Sequence, residues 1–254
     1  MNRASGLRTI FITGTDTGVG KTVLTALLLA HLRSRGRRAL AIKPFCSGDR
    51  ADARLFWLLE DRELALGEIN PFYFRPPLAP LAAARQRGKS LKLPQVVASV
   101  REAARHLLPR NRFARRALAN GVDTLAQANP PCLLVEGAGG VMVPLAQDFS
   151  VLDLIARLRS EVIVVARNRL GTLNHTLLTV RALQQASKPA SLKVVLMDPL
   201  RPDLSSASNP SILRGLLAPV PIYRLPFLAG RLSVPATIRH HARRLDRAVT
   251  RLLA

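Results

Sequence analysis

Aromatic residues make up only 4% of this 254-residue chain, too few for the stacking platforms that grip single-stranded nucleic acid. There are two cysteines, Cys46 and Cys132, far apart and without a CxxC pair. That leaves no basis for a disulfide framework or a zinc site. No apolar run approaches the roughly 18 residues a membrane span needs, and the longest near it, Val23 to Ala30, ends at His31. Met1 to Thr13 has no apolar stretch long enough for a signal peptide. A soluble, cytoplasmic protein is expected. Acidic residues are also few, 16 against 38 basic ones, which gives a net charge of +22. Six of those cations are lysines and 32 are arginines spread along the whole chain. The densest basic run, Arg110-Asn111-Arg112-Phe113-Ala114-Arg115-Arg116, reads as a solvated face.

What is present is apolar: 48% of the residues, which excludes a disordered segment. Short β-branched runs alternate with helix-period segments, the pattern of a parallel sheet covered on both faces. Strands are expected at Arg8–Thr13, Ala39–Lys43, Cys132–Glu136, Glu161–Ala166, Ser191–Met197 and Val220–Leu225. Helices are expected at Lys21–Arg35, Pro94–Leu108, Val151–Arg159, Asn174–Ala186 and Pro235–Leu253, the last one basic. Proline clusters at Pro71–Pro80 and Pro130–Pro131 mark loops. No repeat or linker divides the chain, so one doubly wound, mostly parallel α/β domain over residues 1–254 is expected. Ligands of such sheets sit beyond the carboxyl ends of the strands.

The chemistry-bearing residues fall at those ends. The first strand runs into Gly14-Thr15-Asp16-Thr17-Gly18-Val19-Gly20-Lys21-Thr22, followed by a helical segment. Glycines let backbone N–H groups approach phosphate, and the helix start adds partial positive charge. Lys21 would reach the outer phosphates and Thr22 would bind Mg²⁺. Lys43, after the second strand, needs an acidic neighbour or an anionic ligand if buried. Asp49 and Asp52 are both carboxylates within reach of a metal at Thr22. Glu136, ending the third strand before the glycine-rich turn Gly137–Gly140, suits a second acidic metal ligand. Asn174 follows the Gly171 turn, where an ordinary helix N-cap also explains it.

Gly14 to Thr22 resembles the signature of the dethiobiotin synthetase family, whose phosphate loop is one residue longer than the strict P-loop pattern. The resemblance recurs in order at Lys43-Pro44-Phe45-Cys46-Ser47-Gly48, Asn70-Pro71-Phe72-Tyr73-Phe74, Glu136-Gly137-Ala138-Gly139-Gly140-Val141-Met142-Val143-Pro144-Leu145 and Leu170-Gly171-Thr172-Leu173-Asn174-His175. It implies a P-loop NTPase-like ligase that converts 7,8-diaminopelargonic acid, CO₂ and ATP to dethiobiotin. The intermediates implied are a carbamate and its phosphorylated anhydride. By the same resemblance Thr17, Lys21 and Lys43 are catalytic, Ser47 and Asn174 contact substrate, and Thr22, Asp52 and Glu136 hold Mg²⁺. The implied nucleotide contacts are Gly18, Val19, Gly20, Lys21, Thr22, Val23, Asp52, Glu136, Gly137, Ala138, Gly139, Met197, Asp198 and Pro226. Asp52 is preferred to Asp49 because Ala51-Asp52-Ala53 resembles the family's metal-binding position. The family is a homodimer whose Asn174-bearing segment reaches the neighbouring subunit's substrate, which implies a site built by two chains.

Some positions depart from the family pattern. Met197 stands where an asparagine usually reads the adenine, and a thioether lacks that paired donor and acceptor. Leu78-Ala79-Pro80-Leu81 lacks a serine and a histidine found near the substrate, and Arg169 replaces a lysine. Leu107 to Asn129 reads as an insertion. Two other functions compete. A partition-type ATPase acting on DNA would use the charge but needs a second lysine where Thr15 and Asp16 stand. A nucleotide-binding paralogue without turnover has no reason to keep Lys21, Thr22, Lys43, Asp52 and Glu136 together.

Overall fold

The computed structural model describes residues 6–108, 130–187 and 189–254. Its centre is a six-stranded parallel sheet of β1 (Arg8–Gly14), β2 (Ala39–Ile42), β5 (Cys132–Gly140), β6 (Glu161–Arg167), β7 (Leu192–Met197) and β8 (Ile222–Leu225). Their order is β2-β5-β1-β6-β7-β8. β3 (Phe45–Ser47) and β4 (Phe72–Phe74) form a separate parallel pair in which Ser47 lies opposite Phe74. The inner strands are buried along almost their whole length, which is why their sequences read as continuous apolar runs rather than alternating ones.

Helices cover both faces. On one, α1 (Lys21–Ser34) packs against α2 (Ala51–Leu59), α9 (Pro235–Arg244) and α10 (Asp246–Leu253). Every residue of α1 from Leu24 to Leu32 is buried, as a helix held between a sheet and a second helical layer requires. On the other face α5 (Leu93–Arg105), α6 (Val151–Leu158), α7 (Thr172–Ala186) and α8 (Ser205–Leu217) pack in succession. The short α3 (Leu66–Ile69) and α4 (Pro80–Gln86) complete the β2 side. The chain leaves β1 toward β2 in one direction and later leaves β5 toward β6 in the other. That reversal opens the crevice of a doubly wound sheet at the carboxyl ends of β1, β5 and β6.

Four expectations are corrected. Gly137 to Gly140 are no turn but continue β5, pairing beside β1 with a register shift between Ile12 and Gly14. The Pro71–Pro80 loop contains β4 and begins α4. The single C-terminal helix at 235–253 is two, broken at Leu245. The break lets the end of α10 meet the sheet, where Lys193 donates to Leu252 O at 2.9 Å and Arg8 donates to Leu253 O. Finally, α7 begins two residues before Asn174, so Asn174 is not its N-cap; Gly171 is, at φ 90°. Nearly all of the expected insertion, with its basic run, lies outside the described residues.

Candidate active site

The phosphate loop joins β1 to α1. Thr15 N–H donates to Val165 O at 3.0 Å, which ties the loop's start to β6. Gly20 caps α1 at φ 105°, a left-handed conformation that side chains resist and glycine tolerates. Thr17 is exposed, and its N–H donates to the Asp16 carboxylate at 2.6 Å. Lys21 is 6% exposed and donates from Nζ to Asp16 O at 2.8 Å. Burial drops its ammonium from the ordinary 10.5 to about 8; Glu136 pulls it upward, and Lys43 pushes it down. Arg167, ending β6, donates from Nε and Nη2 to Gly18 O at 3.0 and 2.7 Å.

Beside the loop stands a second charged cluster. Lys43 follows β2 directly, its N–H donating to Ile69 O at 2.9 Å and its carbonyl accepting from Asn70 Nδ2 at 2.9 Å. Those backbone bonds aim its side chain at β5. Lys43 Nζ donates to Glu136 Oε1 at 2.8 Å and to Asp52 Oδ2. Thr22 Oγ1 donates to the same Glu136 oxygen at 2.8 Å. Burial opposes the Lys43 charge, but Glu136 and Asp52 overcome it, so its pKa rises above the ordinary value. Glu136 is 1% exposed, and its other oxygen, Oε2, is buried without a hydrogen-bond partner. A buried carboxylate oxygen left unpaired is costly, and a cation satisfies it.

Asp52 sits in the first turn of α2, where a carboxylate also meets the positive helix end. Asp49 instead accepts from Ala51 N–H at 2.7 Å and shapes the turn into α2. Thr22, Asp52 and Glu136 thus offer only oxygen donors. Among the described residues no group of three or more His, Cys, Asp or Glu side chains could hold a metal. That donor set fits Mg²⁺, which commonly takes one or two carboxylates and leaves further positions to phosphates and water. Neither cysteine offers a nucleophile, since burial pushes the Cys46 thiol up to about 11 and the Cys132 thiol to about 12.

The glycines of β5 have separate reasons to be glycine. A Cβ on Gly137 would lie 2.8 Å from the Phe11 ring, and one on Gly139 would lie 2.7 Å from Val143 and 3.5 Å from Thr17 Oγ1. Gly139 is held to glycine by Val143 and by its φ of 62°, whereas a Cβ on Gly140 would lie 3.3 Å from Thr15 O. Gly140 is therefore the residue that lets β5 approach the phosphate loop; Ala138 is partly buried against the core. Val19 is buried and Val23 half-buried under the loop and helix start. Ser47 ends β3 half-buried, next to Gly48, whose carbonyl accepts from Tyr73 Oη at 2.8 Å.

On the far side, Met197 packs on the loop, its Cγ 3.2 Å from the place a Gly20 Cβ would take. Asp198 is committed elsewhere: Arg224 Nε donates to both its oxygens at 2.8 and 2.7 Å, and Asn168 Nδ2 donates at 2.8 Å. Pro226 follows β8, the edge strand, and is exposed. A cleft between the loop and the start of α7 is lined by Thr15, Asp16, Thr17, Val19, Arg167, Arg169, Leu170, Thr172 and His175. Asn174 is exposed in the first turn of α7 and does not line it.

Three positions matter here that the sequence did not single out. Arg167 clamps the loop, Asn70 holds Lys43, and Arg50 locks Asn70 by donating to its side chain at 3.0 Å and its carbonyl at 3.0 Å. Asn70 opened a recognised motif, which was the available signal for it. Arg167 and Arg50 were two among 32 arginines.

A parallel sheet with a glycine-rich loop, Lys21 and Thr22 at its first strand end, and Glu136 beside them defines a P-loop nucleotide-binding domain. The profile of a family described as AAA domain matches residues 8–241. ATP-dependent dethiobiotin synthetase BioD of Bacillus subtilis is 34% identical over 221 residues, 85% of each chain. The protein of that name from Anaeromyxobacter sp. (strain K) is 37% identical over 225 residues, 87% of this chain and 91% of its own. That of Anaeromyxobacter dehalogenans is 41% identical over 183 residues, 70% of this chain and 72% of its own. A solved nucleotide-binding protein of Archaeoglobus fulgidus, in complex with ADP, overlays with a TM-score of 0.47 at 14% identity, over 95% of this chain and 89% of its own. The chain belongs to the dethiobiotin synthetase family.

Proposed function

We propose that this chain is an ATP-dependent dethiobiotin synthetase of biotin biosynthesis, a ligase acting on 7,8-diaminopelargonic acid and CO₂. The observation that carries the reading is the convergence of Lys21, Lys43, Thr22, Asp52 and Glu136 at the loop, with one buried Glu136 oxygen unpaired. One amine of the substrate adds to CO₂ and loses a proton, giving a carbamate. A carbamate oxygen attacks the γ-phosphorus of ATP, and ADP leaves. The second amine then attacks the carbamoyl carbon, loses a proton, closes the cyclic urea and expels phosphate.

Every step gathers negative charge on oxygens, so positioned cations lower the barriers and no covalent protein nucleophile is needed. Lys21 lies buried under the loop, and releasing Asp16 O frees its ammonium for phosphate oxygens. Lys43, held ionised by its carboxylate neighbours, supplies the second cation. Exposed Thr17 and the Ser47 hydroxyl are the hydrogen-bond donors assigned to the carbamate. Thr22, Asp52 and Glu136 would hold Mg²⁺, which when bound offsets charge on the phosphate oxygens. The loop residues Gly18, Val19 and Gly20 bind phosphate through backbone N–H groups. Gly137, Ala138 and Gly139 on one side, and Met197, Asp198 and Pro226 on the other, border the nucleotide.

The working form we assign is a homodimer. Asn174, exposed and outside its own chain's cleft, is the residue assigned to a neighbouring chain's substrate. A reducing cytoplasm is the compartment that suits the two free, buried cysteines. Among the described residues no helix is long and apolar enough to cross a membrane.

The test is a mass-spectrometric assay with diaminopelargonic acid, bicarbonate, Mg²⁺ and each of four nucleoside triphosphates in turn. Dethiobiotin formed in step with phosphate is the expected result. Hydrolysis of the triphosphate without dethiobiotin would overturn the assignment.

A further inference from the structure

Among the described residues two cations rest on carbonyl oxygens of the phosphate loop. One is Lys21, on Asp16 O. The other is Arg167, which grips Gly18 O with two donors. Arg167 is anchored in the sheet, which the loop leaves beyond Thr15, itself tied to Val165 O. Its backbone pairs in register with Met197 of β7, and the next residue, Asn168, donates from its N–H to Met197 O at 2.9 Å. In the loop, Gly18 sits at φ 70° and Gly20 at φ 105°. Glycine loses more conformational freedom on ordering than any other residue, so an unsupported loop of this kind is costly to fix.

The geometry of one peptide connects the clamp to phosphate binding. A planar trans peptide points its C=O and its N–H in opposite directions. Gly18 O and Val19 N–H belong to the same peptide. Holding the carbonyl on Arg167 therefore turns the Val19 N–H away from the guanidinium, fixing the direction of one of the loop N–H groups that an anion would use. The planar guanidinium suits this task, because its fork reaches one oxygen with two donors where an ammonium makes a point contact.

We propose that Arg167 is a positioning residue for the nucleotide: it ties the loop's Gly18 to the rigid end of β6, so that the N–H groups are aimed before the phosphates arrive. The proposal rests on the nucleotide-dependent reading above and adds a determinant of affinity. A loop ordered in advance spends less binding energy on its own ordering. Arg167 acts through Gly18, so its removal weakens nucleotide binding and leaves the chemical step and the diamine site alone.

Calorimetric titration of MgATP into the full-length chain tests this, with the wild type, Arg167→Ala and Arg167→Lys compared. In Arg167→Ala the affinity and the nucleotide KM should worsen by about tenfold together, with kcat and the diamine KM within about twofold. Arg167→Lys should fall between, and millimolar guanidinium should restore part of the affinity to the alanine variant and none to the wild type. Unchanged MgATP affinity in either folded variant overturns the proposal. So does a raised diamine KM with nucleotide affinity unmoved, which would place Arg167 on the substrate. The lysine variant keeps the charge and most of the bulk, so the test survives an alanine variant that does not fold. Because binding is read directly, a chain that makes no dethiobiotin would sink the functional assignment while the titration still decides the role of Arg167.

Discussion

Two carboxylates, Glu136 and Asp198, lie at the carboxyl edge of the same parallel sheet, and their surroundings differ in kind. Glu136 shares one oxygen between Lys43 and Thr22 and leaves the other buried and unpaired. Asp198 has both oxygens occupied by Arg224, with Asn168 added. Asn168 is itself complete: its Nδ2 also donates to Ser206 O at 2.9 Å, and its Oδ1 accepts from Asn209 at 3.1 Å. A closed network of this sort fixes the ends of β6, β7 and β8 relative to α8. The Glu136 cluster is open, and an open buried cluster is where an incoming cation or anion gains most. Charge at a strand end is therefore a poor guide to chemistry by itself; unfilled hydrogen-bonding capacity is the better one.

The sharpest way to break this contrast is Glu136→Gln. It keeps the shape and a hydrogen-bond acceptor but removes the charge facing Lys43 and the unpaired anionic oxygen. Turnover should fall by about 10³, the scale of losing one preorganised electrostatic contact at a reacting centre. Circular dichroism should show a folded chain. Turnover close to wild type would remove Glu136 from the mechanism and the contrast with it.

The opposite pattern is expected on the closed side. Asn168→Ala removes the donor to the Ser206 carbonyl, whose i+4 residue in α8 is Pro210 and has no N–H to offer. The Asn209 amide keeps Arg169 O and Ser205 Oγ as acceptors, so the change should cost about 1–2 kcal/mol of stability in urea unfolding. Turnover at 25 °C should change by less than about threefold, because the ends of β6 and β7 also keep their backbone ladder. A loss of turnover as large as that of Glu136→Gln would show that the two halves work as one site.

The same contrast explains what could be read from the sequence. The inner strands and α1 were legible because burial on both faces leaves an uninterrupted apolar signal. The phosphate loop, Lys43, Asp52 and Glu136 were legible because spacing and order carried them. The rest depended on tertiary contacts. α8 contains Pro210, so its sequence reads as a breaker, yet the helix is held by packing and by Asn209. α2 carries Arg50 and Asp52 at its start with no favoured N-cap side chain. Gly137 to Gly140 read as a turn because four residues of such composition favour one. Pairing with β1 and the closeness of Phe11 make them strand. In the sequence the preference for Asp52 over Asp49 rests on resemblance alone; its physical reason is α2, which places Asp52 beside Lys43 while Asp49 turns back onto Ala51 N–H.

The last expected effect needs no loss of a contact: it is a pH dependence that separates Lys21 from Lys43. The Lys21 ammonium in the folded chain titrates near 8, against 10.5 for an ordinary lysine. Burial favours its neutral form, so between those two values the unfolded chain binds more protons than the folded one. Stability from this group therefore rises as pH climbs from about 8 toward 10.5, and its penalty is fully present below that window. Phosphate binding has the opposite need, because it wants the charge. kcat/KM for the nucleotide, which reports the free enzyme, should decline above pH 8, by up to about tenfold per pH unit. kcat, read in the complex where phosphates hold the proton on Lys21, should stay level further into the alkaline range. Lys43, whose pKa is raised by Glu136 and Asp52, should contribute nothing to this decline. Lys21→Arg checks the assignment: its guanidinium keeps its proton throughout, so whatever activity remains should lose the fall near pH 8. A profile that keeps the same break in that variant would assign the titration to another group and leave Lys21 charged across the range.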